Sequence, residues 1–113
     1  MHLIATLLLT LVAPEGAGGG LLSYQDTVRC SGLTQAASEL EGGESARGRQ
    51  LFDAALYWSL ASGQAAAAAG RPGASADADQ TRERIAAVRD LSEHLNGAEA
   101  ALEVCLRRTP DLG

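Results

Sequence analysis

The residues of this chain whose type and placement specify a covalent step are its two cysteines, Cys30 and Cys105. They do not form a CxxC motif, which sets both sulfurs at one helix N-terminus where the thiolate is stabilised. Their expected chemistry is oxidation to a structural disulfide, which requires an oxidising compartment and two Cα atoms within about 7 Å of each other. No CxxCH occurs, so there is no attachment point for c-type haem, and no cofactor is expected.

The other reactive side chains are sparse. Of two histidines, His2 lies in the leading segment and His94 in the body of the chain. Asp90 precedes His94 by one helical turn, and a carboxylate and an imidazole at that spacing bind a metal weakly. A zinc site needs three or four ligands, and a di-iron bundle needs Glu-x-x-His on paired helices, so the pair reads as a surface pair and no metal is expected. Ser59, Ser62 and Ser92 fall inside helical patterns with no nucleophile elbow around them. Glu39, Glu41 and Glu44 flank two glycines, where water keeps carboxylates ionised and unsuited to general acid work. No catalytic residue is assigned, and the chain reads as a non-enzyme.

These residues sit in a chain of 113 positions with a net charge of −5. Nucleic acid binding demands a clustered basic face, and Arg82, Arg84 and Arg89 are interleaved with Asp77, Asp79, Glu83 and Asp90, so no nucleic acid partner is expected. Leu3 to Val12 form a leading apolar run followed by small residues, which reads as a signal peptide over residues 1–20 even though Lys and Arg are missing before it. The run is too short to span a bilayer, so no membrane span is expected in the mature chain, residues 21–113. Export agrees with two thiols that pair. With its alanine-rich composition, the chain is expected in the periplasm of a Gram-negative bacterium, or secreted.

Good helix formers dominate and β-branched residues are scattered, so the fold class is all-α. Helix A starts at Ser23 as N-cap with Asp26 three residues on, carries Cys30, Leu33, Ala37 and Leu40 on one face, and stops at Gly42-Gly43. Helix B runs from about Ser45 to Ala69. With Leu51, Phe52, Ala55, Leu56 and Trp58 it holds most of the bulk, and it is expected at the centre. Its alanine-rich last turns allow another backbone to come close. Gly70-Arg71-Pro72-Gly73 is a loop, and Asp77 with Gln80 is expected to cap helix C, whose period runs through Thr81, Ile85, Val88, Leu91 and Leu95.

Asn96-Gly97 leaves two architectures. An unbroken helix keeps Ala98, Leu102 and Cys105 in phase with Leu91, but at a rise of 1.5 Å per residue it carries Cys105 about 25 Å past the level of Cys30. A turn there, with Asn96 as cap and Glu99 completing the box, brings Cys105 back to that level. The expected fold is therefore a small antiparallel bundle of four helices stapled by Cys30–Cys105. The alternative is three helices with a long C-terminal one, and free thiols or a disulfide-linked dimer. In the four-helix case the bridge contributes on the order of 4 kcal/mol, a large share of the stability of a thin core.

Tyr57 and Trp58 are adjacent on helix B and point about 100° apart, so only one can be central. Phe52, Tyr57 and Trp58 mark the expected partner surface or, with Val88, the wall of a small-molecule pocket. The stretch Ala54-Ala55-Leu56-Tyr57-Trp58 through Gly63 and Ala67 resembles the small-and-aromatic packing of tetratricopeptide-type hairpins, which implies one helical hairpin, since no second copy follows at a fixed period. The function expected is that of an exported, non-catalytic helical protein acting through an unknown protein partner, with a homodimer among the arrangements it admits. Adaptor, inhibitor, chaperone and envelope accessory roles all fit. A pocket-bearing bundle and a membrane-tethered adaptor that retains its leader are the competing readings.

Overall fold

The computed structural model describes residues 22–111, so the leader expected over residues 1–20 lies outside the described residues. Four helices follow in order: α1 Tyr24–Glu41, α2 Ala46–Ala68, α3 Gly73–Glu93 and α4 Ala98–Arg108. The first two boundaries follow from local chemistry. Ser23 Oγ accepts the Asp26 amide at 3.1 Å, and Ser45 Oγ accepts the Gly48 amide at 2.9 Å, so each hydroxyl satisfies an N–H that the first helical turn leaves open. Gly42, at φ 81°, stops α1 in a conformation that a Cβ would disfavour.

The chain breaks at Asn96-Gly97 and the four-helix arrangement holds. His94, Asn96 and Gly97 all take positive φ, at 57°, 59° and 66°, and reverse the chain within one short turn. Asn96 does not cap α4. The N-cap is Gly97, without a side-chain hydrogen bond, and the Asn96 side chain turns back to Asp90 while Glu99 pairs with His94. A left-handed backbone at Asn96 excludes the extended conformation typical of an N-cap.

Helix α3 also starts earlier than Asp77, at Gly73 behind Pro72. Asp77 is exposed within the helix and Gln80 is buried. The early start places Ala76, 2% exposed, against Tyr24, Val28 and Ala66, a burial that a helix beginning at Asp77 would forfeit. The alanine-rich end of α2 does receive a close neighbour, since Ala66 is buried in this cluster.

Helix α1, not α2, occupies the centre. It packs against all three other helices and buries ten residues, from Tyr24 to Ala37, around most of its circumference. Size explains the exchange. Ser31, Gly32, Thr34, Ala36 and Ala37 let neighbouring backbones approach, whereas the bulk of α2 splits between an inward and an outward face. At Gly32 an added Cβ would lie 2.5 Å from the Glu83 Cβ and 2.7 Å from the Glu83 carbonyl carbon, so this glycine is what seats α3 on α1. The larger core gathers Cys30, Leu33, Ala37, Leu51, Trp58, Leu91 and Leu102.

Candidate functional site

Cys30 and Cys105 meet between α1 and α4 as a disulfide, with sulfurs 2.13 Å and Cα atoms 5.5 Å apart across a sequence separation of 75. Both are buried. The bridge fixes α4, the shortest helix, to the central one, and two polar contacts tie the same helix to α2. Trp58 Nε1 donates to Thr109 Oγ1 at 2.9 Å, and that hydroxyl donates to the Cys105 carbonyl at 2.8 Å. Arg47 pairs with Glu103 at 2.7 Å on the surface.

The three aromatic residues of α2 separate. Trp58 is 1% exposed and belongs to the core, Tyr57 is half-buried with its ring edge-on to Trp58 at 5.0 Å, and Phe52 stands 54% exposed on another face. Val88 is half-buried against the core. Phe52 and Trp58 therefore do not face one cavity. The two open clefts described lie elsewhere. One, of about 370 Å³, is walled by Ala37 and Leu40 of α1, Leu51 of α2, Leu91 of α3 and Leu102 of α4, with Glu41, Arg47, Glu99 and Glu103 also lining it. The other, of about 340 Å³, lies beside Thr109 with Gln50, Asp53 and Leu106. Each is open to solvent, and neither gathers the enclosed, convergent polar groups of a ligand pocket.

Phe52 is one end of a stripe. Leu56, 51% exposed, and Leu60, 70% exposed, follow it at intervals of four, so the three share the face of α2 turned away from α1. From Ala54 to Gly70 no residue carries a charge. A solvated helix face normally carries charged residues, and this one continues instead through Gly63 and Ala67, both exposed. Leu56 and Leu60 were missed as surface residues by sequence reasoning, because an apolar period reports a greasy face and not whether a neighbour covers it.

Two polar clusters complete the inventory. Between α1 and α3, Ser31 donates to Gln80 Oε1 at 2.7 Å and Gln35 Nε2 donates to Ser31 Oγ at 2.7 Å, which satisfies buried polar groups where the helices touch. At the open end of the bundle Tyr24 donates its hydroxyl to Asp79 at 2.7 Å, Arg71 lies 4.4 Å over the Tyr24 ring, and Arg82 pairs with Asp79. Burial, and then the bond to Asp79, push the Tyr24 hydroxyl above its ordinary range, and the same bond leads in holding the Asp79 carboxyl below its own. Asp90 is held low chiefly by Arg89, then by Asn96.

Neither cluster contains an unpaired nucleophile beside a base. Asp90 and His94 have separate partners, Glu39 pairs with Arg84, and Ser62, fully buried, donates to the Trp58 carbonyl. Among the described residues no three His, Cys, Asp or Glu side chains gather as a metal set, and no helix is long and apolar enough to cross a membrane. No family model matches this chain, and comparison with curated proteins and with solved structures finds no significant similarity.

Proposed function

We propose that this chain is an exported, non-catalytic helical module that works through protein contacts, with a cleaved leader at residues 1–20 and a periplasmic or secreted location. The observation that carries the reading is the outer face of α2, where Phe52, Leu56 and Leu60 stand about half exposed or more and no charged residue occurs from Ala54 onward. Large apolar side chains held together in water on a helix are a feature of protein-contact surfaces. The Cys30–Cys105 bridge supports export, since disulfides persist in oxidising compartments.

Two measurements test this. Intact mass of the protein from the exported fraction should show the loss of roughly the first twenty residues and a gain of about two daltons on reduction. A photoreactive residue at position 56 should capture a protein partner in the producing cell, while one at Asp77 should not. A chain retained inside the cell with free thiols would overturn the export reading, and a position 56 that captures nothing would overturn the contact reading.

A further inference from the structure

We infer that the partner of the outer α2 face is a second copy of this chain, paired through α2 antiparallel about a two-fold axis. The inference rests on the reading of that face as a protein-contact surface and names its occupant.

The face is complementary to itself. Its large residues Phe52 and Leu56 precede the central pair Ser59–Leu60, and its small residues Gly63 and Ala67 follow that pair. When two such helices run antiparallel with the axis between positions 59 and 60, Phe52 of one copy falls opposite Ala67 of the other, Leu56 opposite Gly63, and Leu60 opposite Ser59. Each large side chain meets a small one, as interdigitated packing requires. A two-fold interface uses the same patch on both copies, so this size gradient along one helix is the form that self-pairing takes.

Gly63 adds an independent reason. Glycine inside a helix is destabilising relative to alanine, and what it offers in return is room for a close approach. Gly32 and Gly48 have such neighbours within the chain, but a Cβ at Gly63 would meet nothing within 4 Å. The opposite Leu56 supplies the missing neighbour. Charge agrees: the molecule is acidic at −5, and the stretch of α2 from Ala54 to Gly70 brings no like charges together when two copies meet there.

Area sets the strength. Three large side chains at this exposure offer on the order of 300 Å² per copy, against about 800 Å² per partner in a standard stable interface. The dimer is therefore transient, forming at high micromolar concentration and dissociating on dilution.

Sedimentation velocity of the purified, disulfide-intact protein from about 10 to about 500 µM is expected to show a monomer converting toward a dimer. Leu56→Glu and Leu60→Glu should each move that conversion to concentrations at least about tenfold higher, with helical circular dichroism retained because both sites are exposed. Under oxidation, a mixture of Leu56→Cys and Gly63→Cys proteins should yield a cross-linked heterodimer, and Leu56→Cys mixed with Asp77→Cys should not. A monomer throughout the range, or a dimer indifferent to both glutamates, overturns the inference. Position 56 capturing a different protein in the cell would then leave the contact-module reading standing, whereas no capture at all would remove both.

Discussion

Gly32 sets how closely α3 seats on α1. With the Glu83 backbone inside the space a Cβ would fill, Gly32→Ala forces α1 and α3 apart and is expected to cost about 1–3 kcal/mol in urea unfolding. The Tyr24–Asp79 pair makes a prediction of opposite sign at the two ends of the pH scale. The folded pKa of Tyr24 is raised from 10.0, so its contribution is fully present below pH 10 and is lost as pH rises through the folded value. Asp79 is lowered from 3.8, so its contribution is present above pH 3.8 and is lost as pH falls through the folded value. Tyr24→Phe should flatten the alkaline loss of stability and reduce the acid one. A pH series of denaturation midpoints for both proteins checks it.

The helices themselves differ in what holds them. α1 and α2 begin at serine caps, whereas α4 begins at Gly97 without a capping side chain and depends on tertiary contacts. A side chain at Gly97 would strain the reversal between α3 and α4, because φ there is 66°. Gly97→Ala should cost about 1 kcal/mol, seen in thermal unfolding. In α2 the expectation reverses. Gly63→Ala places a methyl in open space within an exposed helix and should stabilise the monomer by about 0.5–1 kcal/mol, measured at a concentration where no dimer forms.

Taken as one body, the bundle is α2 and α3 packed around α1's small residues, with α4 fastened to α1 by a covalent bond. The bridge spans 75 positions, so removing it with paired Cys30→Ala and Cys105→Ala substitutions should cost on the order of 4 kcal/mol. The loss should fall first on α4, which hydrogen exchange would register as faster exchange over Ala98–Arg108 than over α1. The Arg47–Glu103 pair joining α4 to α2 is exposed on both sides, and Glu103→Gln should change stability by less than about 1 kcal/mol.

Much of this architecture was legible in the residues alone. Helix-forming composition, the serine cap at Ser23, the start of helix B near Ser45 and the Gly42 stop act within a few residues, so they mark elements wherever the chain lies. The disulfide extended that reach, because two sulfurs must share one height in a bundle, and only a turn at Asn96-Gly97 lets Cys105 return to Cys30. The tertiary structure alone decided the rest. It put α1 at the centre in place of the bulkier α2, drew the start of α3 back to Gly73 to bury Ala76, and turned Asn96 toward Asp90. It also placed Trp58 inside and Phe52, Leu56 and Leu60 outside. Periodicity records which face of a helix is apolar, but whether that face is covered depends on where the other helices end and how closely small residues let them approach.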